Sequence, residues 1–152
     1  MTRILDDDGT RAVLHDLVHL DTQRAAVGLD LTVAAVYRVT GPGSLDFGGS
    51  EEEAADREEV LPRRRRTDDA YGWWELRAGR YVIRYNESLE LADGQIAQIL
   101  PLERLLRAGS HHPTFVVDGP RETLETLLVV GEAGCDLKEN CRMSRVVVSE
   151  VG

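Results

Sequence analysis

Lysine is almost absent from this chain. Lys138 is the only lysine among 18 basic residues, and 27 acidic residues leave a net charge of −9. A negative protein is not drawn unspecifically to nucleic acid or to anionic membranes. A protein surface with many hydrated carboxylates and few lysines is typical of proteins that function in concentrated salt. We therefore expect a halophilic source and no nucleic-acid partner, although a GC-rich coding sequence would also exchange lysine for arginine.

Long apolar runs and cysteines are also scarce. No run approaches the roughly 20 residues of a membrane helix, and the N-terminus MTRILDDDGTRAV lacks the order of a secretory signal. These features predict a cytoplasmic protein without a membrane partner. The two cysteines, Cys135 and Cys141, have no nearby histidine to complete a zinc site. We expect both to be reduced, partly buried thiols.

The length and composition predict a single domain over residues 1–152, because 152 residues with 42% hydrophobic content can close one core. Residues 51–70 form a charge-segregated insertion, which begins EEEAADREEVLPRRRRTDD. It holds too few apolar residues to offset the entropy of ordering. We predict a mobile loop or a short exposed helix there.

Most of the chain has the pattern of short strands between turns. Apolar residues at helical spacing predict one helix over residues 8–20, capped by Asp8. Residues 25–39 predict one or two strands, and residues 114–117 and 142–151 each predict one. Residues 123–130 are typical of a strand, with a helix as the alternative. A single helix before many strands favours a mainly β, antiparallel barrel or sandwich.

The stretch 76–110 predicts the central strands. Tyr81, Ile83 and Tyr85 have the pattern of a buried strand, and a second apolar run follows Asp93-Gly94. An Asp-Gly pair between apolar runs is typical of a hairpin turn. We therefore predict a meander that ends at Pro101, where a donor is missing.

Three other features need a structural explanation. Asp30 lies inside a predicted strand, where a carboxylate must face water, an N–H group or a cation. Gly28 just before it marks a flexible position or a close backbone approach. Trp73 and Trp74 predict core packing or a subunit contact.

Several segments carry a family resemblance. VGLDL (27–31) is similar to an A-G-x-D-L motif, and LRAGRYVI to an L-x-P-G-x-x-V/L-I motif. LADGQIAQILPLERLLRAGS is similar to L-P-x-G-x-x-A-x-I-x-P-R-S-S-L-A-x-x-G-L, HPTF (112–115) to H-x-T-A, and NCRMSRVVV to G-x-R-I-A-Q-L-V-V. These motifs, in this order, resemble the dUTPase and dCTP deaminase superfamily of nucleotide hydrolases. The resemblance implies a dUTPase-like antiparallel barrel or distorted jelly roll with a short N-terminal helix.

The resemblance also implies a function. It points to hydrolysis of dUTP to dUMP and diphosphate, with a pyrimidine deoxynucleoside triphosphate as partner, Mg²⁺ as cofactor, and a homotrimer with sites between subunits. Two alternatives remain open. One is deamination of dCTP, and the other is a non-catalytic nucleotide-binding or assembly protein of the same fold.

The site residues implied by the resemblance fall into three groups. Asp30 would hold the hydrated metal ion. Asp118 would activate water, and Glu125 would shuttle protons in a deaminase. The substrate-binding residues would be Arg104, Arg107, Ser110, His112, Thr114 and Arg142.

One departure from the family pattern is chemically serious. Where the family has P-R-S-S, this chain has Pro101, Leu102, Glu103 and Arg104. An ionised Glu103 has only acceptors and repels phosphate, whereas a serine donates a hydrogen bond. Arg104 or Arg107 could restore the positive charge from another direction.

Overall fold

Thirteen strands and three short helices follow one another along residues 1–152, all of which are described by the computed structural model. In chain order they are β1 (Thr2–Ile4), α1 (Asp7–Val13), β2 (Leu14–His15), α2 (Leu20–Gln23), β3 (Leu29–Val39), β4 (Arg57–Val60), β5 (Trp73–Leu76), β6 (Gly79–Tyr85), β7 (Ser88–Leu89), β8 (Gln95–Pro101), α3 (Glu103–Arg107), β9 (Ser110–His111), β10 (Phe115–Val117), β11 (Glu125–Val130), β12 (Cys135–Lys138) and β13 (Arg142–Val151). None of the helices has the length and apolar character required to cross a membrane.

Nine of the strands form one curled antiparallel sheet. Its order is β10-β8-β13-β3-β6-β11-β9, with β1 added to β13 and β4 added to β3. Two small two-stranded sheets, β12-β5 and β2-β7, lie beside it. The prediction of a mainly β, antiparallel architecture is therefore confirmed.

The long strand β3 joins the two halves of this sheet. Its first residues pair with β13, and its later residues pair with β6 and β4 after a register shift between Val33 and Ala35. The segment from Leu29 to Val33 is buried without interruption, because it is covered on both faces. Asp30 and Thr32 are the two polar residues of this buried segment, and each needs hydrogen-bond partners there.

The predicted meander is wrong, although its turn exists. Gln95 N donates to Ala92 O at 3.1 Å, so the chain does reverse near Asp93-Gly94. However, β7 pairs with β2, and β8 pairs with β13 and β10. A turn signal fixes a local reversal only. β8 pairs with β13 because Ala97 and Ile99 of β8 stand beside Val148 and Val146 of β13 on the same buried face of the sheet. Pairing also continues through Pro101, the last residue of β8, which stands opposite Ser144.

The predicted N-terminal helix is shorter than expected. It spans Asp7–Val13, and Asp6 rather than Asp8 caps it, accepting from Gly9 N at 2.8 Å. The chain then forms β2, and Asp16 adopts a positive φ of 65° that a helix cannot include.

Part of the charged insertion is a strand. Arg57–Val60 forms β4 and pairs with β3, in place of the expected loop or helix. The indole Nε1 of Trp74 donates to Val60 O at 2.8 Å and ties this strand to the core. The mobility of the segment as a whole stays a prediction.

Candidate active site

Asp30 is buried between two arginines. Its side chain is 2% exposed; its Oδ2 accepts from Arg142 Nη1 and its Oδ1 from Arg145 Nε, each at 3.0 Å. Both arginines belong to β13, which pairs with β3 with a register shift between Arg142 and Ser144. Regular alternation would put side chains three residues apart on opposite faces, whereas a bulge lets both reach the same carboxylate. Two guanidinium groups thus satisfy the buried charge.

Arg142 also lines a cleft with Arg104 of α3. The cleft consists of two cavities of about 500 and 270 Å³, which share Arg104, Asn140, Cys141 and Arg142. The larger cavity is also lined by Trp73 and by three buried apolar side chains, Leu105, Leu137 and Met143. The smaller cavity is polar, with His19, Thr22, Gln23 and Thr32 in its lining. Asp136, Lys138 and Glu139 also line the larger cavity, so the cleft combines an apolar floor with hydrogen-bonding groups and charges of both signs.

A buried carboxylate supports the wall of the smaller cavity. Glu87 accepts from Thr32 N at 2.8 Å, from Thr32 Oγ1 at 2.6 Å and from Gln23 Nε2 at 2.9 Å. Burial raises the pKa of Glu87. Asn86 Nδ2 then donates to Thr32 Oγ1 and to Asn140 Oδ1, each at 2.9 Å. This network fixes Thr32 and Asn140 where they face the cleft.

His112 is buried away from the cleft. Its Nδ1 lies 2.9 Å from Pro113 O, and its Nε2 lies 2.7 Å from Ser144 Oγ, which is 2.6 Å from the hydroxyl of Tyr85. A carbonyl can only accept, so Nδ1 carries the proton and Nε2 accepts from Ser144. Burial lowers the pKa of His112 and raises that of Tyr85. The neutral imidazole therefore links the segment after β9 to Ser144 of β13. The role of His112 in substrate binding stays a prediction.

The remaining predicted substrate residues and Asp118 do not line the cleft of a single chain. Arg107, Thr114 and Asp118 are exposed, whereas Ser110 is buried and its Oγ has no hydrogen-bond partner. Of the six substrate-binding residues predicted, the structure brings together only Arg104 and Arg142. The roles of the others stay predictions.

Glu125 lies on a different surface. Its carboxylate pairs with Arg57 at 3.0 Å and with Arg84 at 3.1 Å, and both guanidinium groups stack on Tyr37. A pyrimidine ring would have to displace a cation to reach either oxygen. This arrangement does not favour Glu125 as a proton shuttle, and that role stays a prediction.

The structure adds site residues that the sequence analysis missed. Arg145 binds Asp30, and Asn140 lines both cavities. Arg145 was missed because strand alternation separates it from Arg142. Trp74 packs in the core as predicted, whereas Trp73 lines the cleft with Arg65 stacked 3.9 Å from its ring centre.

The cysteines do not add a nucleophile to the cleft. Cys135 is buried and Cys141 is partly buried, and no disulfide joins them. Their reduced state stays a prediction. Burial raises the pKa of Cys141 to about 11. Because the thiolate is the reactive form, Cys141 is inert at neutral pH.

Comparison with known proteins identifies first the fold class and then the family. The structure matches the 2′-deoxycytidine 5′-triphosphate deaminase of Agrobacterium tumefaciens with a TM-score of 0.70 and 18% identity, over 99% of this chain and 49% of that one. The fold is therefore that of this deaminase, of whose length the chain spans about half. No protein-family model matches the chain.

Relatives in sequence identify the family, whereas the structural match identifies only the fold. The chain is 32% identical over 140 residues to a probable deoxyuridine 5′-triphosphate nucleotidohydrolase of Methanosarcina acetivorans, covering 91% of this chain and 78% of the relative. It is 31% identical over 137 residues to the protein of the same name from Archaeoglobus fulgidus, covering 89% and 77%. The chain belongs to the deoxyuridine 5′-triphosphate nucleotidohydrolase family, an enzyme family, and the predicted superfamily is confirmed.

The magnesium ion implied by the resemblance does not fit the groups at Asp30. Holding a cation's water shell requires an accessible carboxylate oxygen, yet both oxygens of Asp30 accept from guanidinium groups and the side chain is 2% exposed. Two arginine charges at the same place also repel a divalent cation. Elsewhere, no group of three or more His, Cys, Asp or Glu side chains is placed to bind a metal.

Proposed function

We propose that the protein hydrolyses dUTP to dUMP and diphosphate, and that Arg104 and Arg142 bind the phosphate groups in the cleft. The observation that carries this proposal is the convergence of these two arginines, from α3 and β13, on one cleft beside Asp30. Guanidinium groups match phosphate oxygens in geometry and charge. The shared name of the relatives supports dUTP as substrate.

The reaction needs a water molecule and a base. In the proposed step, water attacks the α-phosphorus, the bond to the bridging oxygen breaks, and diphosphate leaves. Asp118 accepts the proton of the attacking water, while Arg104 and Arg142 offset the charge that develops on the phosphate oxygens.

The position of Asp118 supports a site shared between subunits. Asp118 is exposed at the end of β10 and does not line the cleft that contains Arg104 and Arg142. We therefore propose a homotrimer in which one subunit supplies the arginines and another supplies Asp118. Exposed apolar residues such as Val116, next to Asp118 along the chain, would be covered in this assembly.

Nucleotide binding without hydrolysis is the second candidate. Glu103 supports it, because this exposed carboxylate stands beside Arg104 where the family pattern has a phosphate-binding serine. Glu103→Ser removes a negative charge and adds a donor, so we expect tighter dUTP binding. An unchanged affinity would place the phosphates elsewhere.

The test is a hydrolysis assay with subunit complementation in concentrated KCl. Wild type should release dUMP and diphosphate from dUTP, and Asp118→Asn and Arg142→Gln should each lose activity. When the two variants are unfolded and refolded together, about a quarter of the shared sites should regain both intact residues. Arg80→Gln is a matched control, because Arg80 is exposed and makes no ion pair or side-chain hydrogen bond.

Three outcomes are informative. Activity that does not recover on mixing contradicts the shared site. Formation of dUTP and ammonia from dCTP, without diphosphate, favours a deaminase. Binding of dUTP with no product from either nucleotide favours the non-catalytic candidate.

A further inference from the structure

Two arginines take up both oxygens of Asp30, the carboxylate that the resemblance assigns to the metal's water shell. Asp30 carries one negative charge, while Arg142 and Arg145 carry two positive charges within 3.0 Å of it. Arg104, which lines both cavities together with Arg142, adds a third positive charge. This cluster is therefore net positive in a protein whose overall net charge is −9. It attracts an anion and repels a second cation.

The same arginines keep free donors. Arg142 uses only Nη1 toward Asp30, and Arg145 uses only Nε. Their side chains are 34% and 37% exposed, and their other nitrogens make no hydrogen bond within the chain. Arg142, which lines the cleft, can therefore bind Asp30 on one side and a phosphate oxygen on the other. Arg145 does not line either cavity, so it contributes its positive charge from behind Asp30.

We propose that the protein binds the metal-free nucleoside triphosphate, with Arg142 and Arg145 in place of a divalent cation. Asp30 is then a positioning residue that holds the two guanidinium groups, and it does not contact a metal. This inference rests on the proposed function, since it concerns the same phosphate site. It differs in requiring no magnesium for binding.

The test measures the affinity for the non-hydrolysable α,β-imido analogue of dUTP by calorimetry. Titrations are run in EDTA and in saturating MgCl₂, at the same ionic strength. Affinity in EDTA should equal or exceed that in magnesium, because a bound Mg²⁺ neutralises charges that the arginines would otherwise meet. Arg142→Gln should weaken binding about tenfold in both buffers, as expected for loss of a hydrogen bond to a charged group. Arg145→Gln should weaken binding by a smaller factor that is the same in both buffers, because only the attraction of its charge is lost. Arg80→Gln should change neither value.

Asp30→Asn separates the two roles of Asp30. If Asp30 positions the arginines, the variant weakens binding by the same factor with and without magnesium. If Asp30 holds the metal's water shell, only the affinity in magnesium falls. Because loss of a buried charge can impair folding, Arg145→Gln provides the same comparison without touching Asp30.

Two results would overturn the inference, and they are distinguishable. Binding that appears only with magnesium overturns metal-free binding but leaves the proposed function standing. No binding in either buffer overturns both.

Discussion

Gly28 determines how closely β3 can approach β13. It has a φ of +77°, and a Cβ at this position would lie 2.2 Å from the backbone oxygen of Val146. Only glycine adopts this conformation without strain, and the oxygen that a side chain would meet belongs to a rigid strand. The same two strands bring Asp30 to its arginines, so the packing at Gly28 also positions the site.

Gly28→Ala should therefore lower the free energy of unfolding by more than about 2 kcal/mol, because strain and overpacking add. Urea denaturation at constant KCl measures the change. Gly48→Ala is the matched control, since nothing lies within 4 Å of its added Cβ, and it should change stability by no more than about 0.5 kcal/mol. Equal effects of the two substitutions would contradict the close approach.

The sequence predicted which single residues matter better than it predicted their contacts. Gly28 was predicted as a flexible position or a close backbone approach, and the structure shows the close approach. Asp30 and Arg142 were each recognised from a motif. Their ion pair was not foreseen, because it depends on the register of β13 against β3 and on a bulge between Arg142 and Ser144. Neither feature has a signature in a single sequence.

The elements are joined by a buried hydrogen-bonded chain. Tyr85 ends β6, Ser144 lies on β13, and His112 follows β9, so two strands and the segment after a third meet at the hydroxyl of Ser144. When His112 is neutral, Tyr85 donates to Ser144 and Ser144 donates to Nε2. A protonated imidazole must donate to Ser144 instead, which reverses the chain and leaves the buried hydroxyl hydrogen of Tyr85 without an acceptor. Protonation of His112 should therefore weaken the packing between these elements.

This link predicts a pH dependence of stability. Burial lowers the pKa of folded His112 below its ordinary value of 6.5, so the unfolded chain takes up the proton first. The stabilising contribution of His112 is complete above pH 6.5 and is lost as the pH falls through the folded pKa, by at most about 1.4 kcal/mol per pH unit. The free energy of unfolding should thus fall more steeply between pH 7.5 and 5.5 in wild type than in His112→Gln.

The difference between the two proteins isolates this effect. Glu87, whose pKa burial raises, contributes with the opposite sign, since its stabilising effect is lost as the pH rises. Because Glu87 is present in both wild type and His112→Gln, its contribution cancels in the difference between their pH profiles. Parallel pH profiles from urea denaturation would show that His112 does not titrate between the folded and unfolded states.

Strand existence was easier to predict than strand pairing. Composition and alternation located β6, β8 and β13, but the expected meander failed because β7 and β8 pair with strands that are distant in the chain. The charged insertion shows a similar limit. β4 has only one apolar residue, Val60, and forms because β3 offers a free edge.

For the whole molecule, the motifs were more informative than the composition. Their order identified the superfamily, which the relatives and the fold confirm. Composition and alternation alone predicted only an antiparallel barrel or sandwich. The site is divided among elements distant in the chain, and the proposed trimer divides it among subunits as well. That distribution explains why Arg104 and Arg142 meet in one chain whereas Asp118 does not join them.

The most direct test of the proposed phosphate site is a crystal structure of the protein with α,β-imido-dUTP. The phosphate oxygens should lie within about 3 Å of guanidinium nitrogens of Arg104 and Arg142, the distance of a charge-assisted hydrogen bond. A nucleotide bound elsewhere, with the cleft free of phosphate, would contradict the account.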